Sequence, residues 1–286
     1  MPGQMDDVRS PICLHRSRSR LAVTGALTGL LLSLSTPAAL AGTGPDTPER
    51  GTAYMGMGVL AHDGAGDSAD TLSSGSRATQ TEGVDVSSHQ LDVDWAKLWS
   101  SGAKWAYTKA TEGTSYTNPY FTQQYDGSYD VGMIRGAYHF ATPDSSSGTA
   151  QADYFVDHGG GWSKDGKTLP GVLDIEWNPY GDACYGKSKS AMVDWIRDFV
   201  NRYKSRTGRA AVIYTATSWW TECTGNHSGF GGTNPLWVAR YASSAGTLPA
   251  GWSSYTMWQY TSTGKTVGDH DRFNGSVDQL RDFATG

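Results

Sequence analysis

Short apolar runs alternate with segments of helical periodicity from Gly83 onward, and this alternation limits the fold more than any other feature of the chain. The longest helical segment is predicted over Ser190–Lys204, with Gly208 as its stop. After five βα units, residues 236–241 and 256–260 form strands with no helical pattern between them. Parallel strands joined by helices favour a sheet that curls on itself. We therefore predict an α/β protein with a modified TIM-like barrel, in which five βα units are followed by three strands that lack the last helices.

The fourth predicted strand, over residues 169–177, ends in two acids separated by one residue, Asp174 and Glu176. Side chains two positions apart share one face of a strand, roughly 6 to 7 Å apart at about 3.3 Å per residue. Two carboxyl groups at that separation can take part in one reaction. Solvated acids at a surface strand end would give the same pattern, so the other strand ends must decide between the two interpretations.

Polar and aromatic residues also stand at the ends of the other predicted strands. In barrels of this kind, catalytic groups lie at the carboxyl ends of the strands. Acids beside aromatic rings are typical of a saccharide site, and the 11 Trp and 15 Tyr of the chain suit stacking on sugar rings. The residues at these strand ends are Asp85, Lys109, Glu112, Tyr138, Trp177, Tyr214, Arg240 and Tyr260.

The chain divides into three parts. Residues 1–41 have the features of a secretory signal peptide: three arginines, an apolar run over 21–34, and Ala39-Leu40-Ala41 as a cleavage site. Residues 42–82 are rich in small polar residues without periodicity, which predicts a flexible leader or linker. Residues 83–286 form the predicted catalytic domain. We expect a secreted, extracellular monomer without a membrane anchor.

Charge and cysteine content narrow the partners. Without the four arginines and two aspartates of the signal, 19 basic and 26 acidic residues remain, a net charge of −7 with no basic stripe, so no nucleic-acid partner is expected. Cys13 leaves with the signal, and the remaining pair, Cys184 and Cys223, predicts a disulfide in an exported protein. The seven His show no paired ligand spacing, so we expect no metal and no cofactor.

Six motifs follow one another along the predicted domain: Gly83-Val84-Asp85-Val86-Ser87, Lys109-Ala110-Thr111-Glu112-Gly113, Gly136-Ala137-Tyr138-His139-Phe140, Asp174-Ile175-Glu176, Trp258-Gln259-Tyr260 and Asp269-His270-Asp271-Arg272-Phe273-Asn274-Gly275. In this order they resemble the glycoside hydrolase family 25 muramidases, and the resemblance covers about residues 83 to 286. It implies a lysozyme that cleaves the β-1,4 bond between N-acetylmuramic acid and N-acetylglucosamine in bacterial peptidoglycan, on a barrel of five βα units and three further strands.

The resemblance also implies roles for the acids. Glu176 would protonate the leaving glycosidic oxygen, and Asp174 would stabilise the oxocarbenium-like or oxazolinium-like intermediate. Asp85 and a terminal carboxylate would complete the acidic cluster. Asp269 fits that last position better than Asp271, but Gly268 stands where the family usually has an apolar residue, so both stay open.

Further differences and alternatives remain at this point. The sequence has Ser88-His89 where many family members have His followed by Trp, which removes one stacking ring. A chitinase-like enzyme would carry a longer run of aspartates before Glu176, where this chain has Leu169 and Val172. A non-catalytic wall-binding protein could keep the same aromatic groove. Retaining, inverting and substrate-assisted mechanisms all remain possible.

Overall fold

A computed structural model describes residues 48–64 and 79–286 of the chain. Its strands are β1 (Thr81–Val86), β2 (Trp105–Glu112), β3 (Tyr116–Thr117), β4 (Ile134–Phe140), β5 (Val172–Asp174), β6 (Val212–Ala216), β7 (Leu236–Ala239), β8 (Met257–Thr261) and β9 (Asp269–Phe273). Its helices are α1 (Met57–Asp63), α2 (Trp95–Ser100), α3 (Phe121–Asp130), α4 (Gly148–Phe155), α5 (Lys189–Thr207), α6 (Thr217–Thr224) and α7 (Val277–Thr285).

Eight strands close a barrel in the order β1, β2, β4, β5, β6, β7, β8, β9, and β9 pairs back onto β1. Neighbouring strands are parallel from β1 round to β8. The last strand, β9, runs antiparallel to both of its neighbours. The short β3 pairs only with β2, as a hairpin. The predicted modified barrel is confirmed.

Local sequence explains the longest helix, α5. Ser188 accepts a hydrogen bond from the Ala191 amide at its start, and Gly208 ends the helix with φ 74° in the left-handed region. One face of the helix is apolar and buried, from Met192 to Tyr203. The helix predicted over Ser190–Lys204 is therefore present and slightly longer than predicted.

Three helices, α1, α6 and α7, and the short strand β3 were not predicted. The helix α6 has no side-chain cap at Ala216 and is only eight residues long, although its buried residues Trp219, Trp220, Cys223 and Thr224 do have helical spacing. The helix α7 has a capping box between Ser276 and Gln279, a signal that was available in the sequence. Residues 240–256 and 262–268, which the structure describes in full, contain no helix, as predicted for the last strands.

Side chains facing the barrel interior change in character along the axis. Toward the amino ends of the parallel strands the rings of Trp105, Tyr107 and Trp237 pack together with centroids 5.0 to 6.0 Å apart. Such aromatic packing closes this end with well-buried apolar surface. The polar residues of the interior are therefore concentrated at the opposite end, where the parallel strands finish.

The structure of the leader differs from the flexible linker predicted for residues 42–82. Residues 48–64, hereafter the leader segment, contain α1 and bury Met55 and Val59 completely. Strand β1 begins at Thr81, within the range assigned to the leader. The predicted signal peptide, 1–41, and residues 42–47 and 65–78 lie outside the described residues. None of the helices in the described ranges has the length and hydropathy needed to cross a membrane.

Candidate active site

The carboxyl end of β5 carries the two acids singled out in the sequence. Asp174 is the last residue of the strand and Glu176 follows two positions later, and both are completely buried. Asp174 pairs in register with Tyr214 of β6, which directs both side chains into the barrel. Neither carboxyl oxygen of Asp174 has a hydrogen-bond partner among the described residues. Burial, and then the charge of Glu176, raise the pKa of Asp174 well above its usual value.

Glu176 is bound by the backbone of the leader segment. The amide of Gly56 donates to Oε1 at 2.6 Å, and the amide of Gly58 donates to Oε2 at 3.0 Å. Burial raises the pKa of Glu176 to about 8, although these two amides act in the opposite direction by favouring the ionised form. A carboxyl group with this pKa is mostly protonated at neutral pH, which is the state that a general acid requires.

Three more carboxyl groups point into the barrel from β1 and β9, which are adjacent strands paired with each other. Asp85 pairs in register with Asp269, and Asp271 lies two residues further along β9 on the same face. Burial raises the pKa of Asp85 to about 7. Asp269 and Asp271 also have raised pKa values because they are buried next to Asp85. The structure thus brings five acids together at one end of the barrel.

Gln259 of β8 connects these acids to two tyrosines. Its Nε2 donates to Asp85 at 2.8 Å and to Asp269 at 3.2 Å. Its Oε1 accepts from the hydroxyls of Tyr214 at 2.6 Å and Tyr241 at 3.0 Å. This side chain is fully buried and uses both ends of its amide, so it fixes the positions of four neighbours.

The two candidate terminal carboxylates have different surroundings. Asp269 accepts from Tyr241 at 3.3 Å, near the mouth of the barrel. Asp271 is completely buried; its Oδ1 accepts from the indole of Trp237 at 3.2 Å, and its Oδ2 has no hydrogen-bond partner among the described residues. Asp269 is therefore the acid of this pair that lies nearer to the mouth of the barrel.

Lys109 and Glu112 form a buried ion pair at the end of β2, with Nζ and Oε2 2.7 Å apart. Glu112 Oε1 also accepts from the hydroxyl of Tyr180 at 2.7 Å. Both charges of the pair are fully enclosed, so each depends on the other for compensation. The positive charge of Lys109 acts on Asp174 and partly opposes the rise of its pKa.

The predicted aromatic residues divide into two groups. Tyr138 and Tyr214 are buried in the barrel near the acids, and Trp177 lies beside Glu176 with its ring 3.9 Å from the ring of His62. Tyr260 instead points out of the barrel, where its hydroxyl donates to Glu82 at 2.9 Å. The prediction that Tyr260 lines the site is corrected here. Its neighbour Gln259 faces the interior, and side chains alternate along a strand.

Arg240 follows β7 and is exposed at the edge of the site. It lines an open cavity of about 500 Å³ together with Tyr241, Ser218 and Asp63. The cavity adjoins the acidic cluster because Tyr241 contacts both. Arg240 therefore lies in the cavity next to the acidic cluster and not among the acids.

Two residues absent from the set predicted for the site contribute to it, Gln259 and Tyr241, and so does Asp271, which was left open as the alternative to Asp269. Gln259 and Asp271 stand in motifs recognised in the sequence, and Tyr241 follows the predicted Arg240. The alternation of side chains along β9 would have placed Asp271 on the same face as Asp269. Nothing in the sequence shows that one amide would join two acids and two hydroxyl groups.

The predicted disulfide is present. Cys184, in the loop after β5, is bonded to Cys223 of α6, with Cα atoms 5.3 Å apart. The bond joins the loop that follows β5 to the helix that follows β6. It therefore restrains the same rim on which Trp177 lies.

Comparisons with known proteins agree with this geometry. The family model described as "Glycosyl hydrolases family 25" matches residues 84–269. Lysozyme M1 of Streptomyces globisporus is 46% identical over 282 residues, which cover 95% of this chain and 96% of that protein.

Among solved structures, a muramidase from Acremonium alcalophilum is 55% identical with a TM-score of 0.71, covering 72% of this chain and 99% of its own. A family 25 lysozyme from Aspergillus fumigatus is 49% identical with a TM-score of 0.72, covering 73% and 100%. The match to the family model runs from β1 to the first residue of β9 and includes all four predicted acids, and on this basis the chain is a member of glycosyl hydrolase family 25.

Proposed function

We propose that this chain is a lysozyme that hydrolyses the β-1,4 bond between N-acetylmuramic acid and N-acetylglucosamine in bacterial peptidoglycan. The observation that carries the proposal is the buried pair Asp174 and Glu176 at the end of β5, in a chain of family 25. Relatives of this chain are named lysozyme and muramidase, which favours peptidoglycan over chitin as the substrate.

Glu176 is the general acid in this proposal. Hydrolysis of a glycosidic bond needs a proton on the leaving oxygen, and an ordinary glutamic acid has lost its proton at neutral pH. Burial raises the pKa of Glu176 to about 8, so the group keeps its proton until it is needed. The same environment disfavours the glutamate anion once the proton has left, which helps to restore the acid.

Asp174 stabilises the positive charge that develops on the sugar. A buried carboxyl group without hydrogen-bond partners has a high pKa, but a positive charge next to it favours the ionised form. The oxocarbenium-like or oxazolinium-like species would supply that charge, and Lys109 already acts in the same direction. The carboxylate is thus stabilised most when the transition state forms.

The remaining site residues hold the saccharide. Trp177 offers a ring face for stacking, Tyr138 and Tyr214 offer hydroxyl groups, and the Lys109–Glu112 pair lies at the same end of the barrel. Arg240 would contact a sugar in the adjoining cavity. Asp85 and Asp269 complete the acidic cluster. We further propose that the protein acts outside the cell as a monomer after removal of residues 1–41.

The test is lysis of purified cell walls by the chain starting at residue 79. We expect the turbidity to fall and new reducing ends to appear on N-acetylmuramic acid. Chitin serves as the control substrate and should release little product. Reducing ends on N-acetylglucosamine, or faster hydrolysis of chitin than of walls, would indicate the chitinase-like alternative. Binding to walls without any release of sugar would indicate a non-catalytic wall-binding protein.

A further inference from the structure

The leader segment lies directly on the acids of the site. Besides the two amides bound to Glu176, the amide of Gly51 donates to Glu112 Oε1 at 2.8 Å. The amide of Met55 donates to the Tyr138 hydroxyl at 3.4 Å. These donors belong to the backbone, so the contact follows the path of the chain and depends little on side-chain type.

The carbonyl groups of the same segment are also bound by site residues. Lys109 Nζ donates to the carbonyl oxygens of Gly51 and Ala53. The Tyr241 hydroxyl oxygen lies 3.4 Å from the carbonyl oxygen of Gly56. The polar groups predicted to bind a saccharide are therefore occupied by a peptide backbone, which offers donors and acceptors much as sugar hydroxyl and acetamido groups do.

Apolar and aromatic contacts add to this binding. Met55 and Val59 are completely buried in the main core of the barrel domain. The imidazole of His62 stacks on Trp177 with an interplanar angle of 7°. A flat ring parallel to a tryptophan is also the arrangement in which a sugar face packs on an aromatic residue. Burying these two apolar side chains removes their surface from water and so favours the bound segment.

The fit is closest at two glycines. A Cβ atom on Gly58 would lie 2.4 Å from Cβ of Trp177, and one on Gly56 would lie 2.2 Å from the Tyr241 hydroxyl. Only a residue without a side chain allows the backbone to approach Glu176 this closely. The end of the segment is fixed as well, because Ser218 donates to Asp63 at 2.6 Å.

From these contacts we infer that residues 48–64 are an intramolecular inhibitor that fills the saccharide groove and keeps the enzyme latent until the segment is released. The inference rests on the proposed function of the groove. A sugar at the Glu176 carboxyl and the segment cannot occupy the same space. Hydrolysis of one peptide bond between residues 64 and 79 by a protease, with one water added across it, would allow the segment to diffuse away.

The linkage to the barrel makes the inhibition strong. A segment joined by a short linker has an effective concentration of about 1 mM. If the free peptide binds with a Kd of about 100 µM or lower, the groove is occupied about ten times as often as it is open. Release should therefore raise the rate of lysis about tenfold or more.

The experiment compares three proteins on purified cell walls: the chain from residue 42, the same chain with Gly58→Val, and the chain from residue 79. The chain from residue 79 is expected to fold by itself. Two solved relatives match over 99% and 100% of their own length, and the match covers 72% and 73% of this chain, which is about the length of residues 79–286. We expect the first protein to lyse walls about tenfold or more slowly than the other two. Gly161→Val is the matched control, because Gly161 is exposed with open space around it, and it should leave the first protein slow.

A synthetic peptide of residues 48–64 tests whether the segment binds the groove when it is not joined to the barrel. Added to the chain from residue 79, it should raise KM for a soluble peptidoglycan oligosaccharide and leave kcat unchanged, and calorimetry should detect its binding. The peptide with Gly58→Val should bind about tenfold more weakly. Equal lysis by the chains from residues 42 and 79, or a peptide that does not bind, overturns the inference. No lysis by the chain from residue 79 overturns the proposed function instead, and the inhibitor role with it.

Discussion

Replacing the proposed acid by its amide, Glu176→Gln, tests the assignment of the catalytic proton. With a pKa of about 8, Glu176 is protonated in about 90% of molecules at pH 7. A glutamic acid at the model value of 4.5 would be protonated in about 0.3%. The buried environment of Glu176, to which the leader segment contributes and which a bound saccharide would replace, therefore supplies about 300 times more of the acid form. Glutamine has a similar shape and cannot donate this proton, so we expect kcat to fall by about 10² to 10⁴.

The assay is wall lysis by the chain from residue 79, with circular dichroism to verify the fold of the variant. The matched control is Glu82→Gln, because Glu82 lies on the outside of the barrel, where it pairs with Arg272. The control should lyse walls within about twofold of the parent. A Glu176→Gln variant that keeps more than about a tenth of the parent activity would refute the role of Glu176 as acid.

The pH profile tests the same reasoning without a substitution. A bound saccharide would bury Glu176 as the leader segment does, but without the two amides that lower its pKa. Activity needs the protonated form, so kcat should fall as the pH rises through a value no lower than about 8. A fall in kcat that is complete below pH 6 would show that burial does not raise the pKa of the acid in the working enzyme.

The remaining predictions concern stability and the face of β8. Burial raises the pKa of Asp85 from 3.8 to about 7, so the folded chain holds this proton more tightly than the unfolded chain, and urea-unfolding free energy should decrease from pH 4 to pH 7. Asp85→Asn should flatten that decrease, and an unchanged slope would contradict it. Replacing Cys184 and Cys223 by Ser should lower the unfolding free energy by about 4 kcal/mol for a loop with a sequence separation of 39, and an unchanged urea midpoint would show that the bond stabilises nothing. Gln259→Leu should reduce lysis at least tenfold because four polar neighbours lose a hydrogen-bond partner. Tyr260→Phe should leave the lysis rate unchanged. A larger loss of activity in Tyr260→Phe than in Gln259→Leu would contradict the orientation of β8.

The barrel and its two central acids could be predicted because they depend on short-range periodicity. Asp174 and Glu176 stand two residues apart after an apolar run, and the alternation of a strand places both on one face. For β8 the prediction named Tyr260 as a site residue, whereas in the structure Gln259 faces the acids and Tyr260 faces Glu82. Within Trp258-Gln259-Tyr260 the sequence does not show which residue faces inward, and a shift of one position exchanges Gln259 for Tyr260.

The position of the leader segment could not be predicted in this way. Its contacts with Glu176, Glu112 and Lys109 come from backbone amides and carbonyl groups, which every residue carries. Its glycines suggested a flexible linker, although at Gly56 and Gly58 the missing side chain permits a close approach. Only the three-dimensional arrangement distinguishes these two uses of glycine.

The reversed direction of β9 changes which loop borders the groove. At each parallel strand of the barrel the bordering loop is the one that follows, but Asp269 is the first residue of β9, so at this strand the bordering loop is the one that precedes it, residues 262–268. Natural or engineered variation in that loop can therefore alter how a wall fragment is held, while the strand behind it continues to present its acids. The loop that joins β8 to β9 can therefore change substrate preference with little disturbance to the barrel strands.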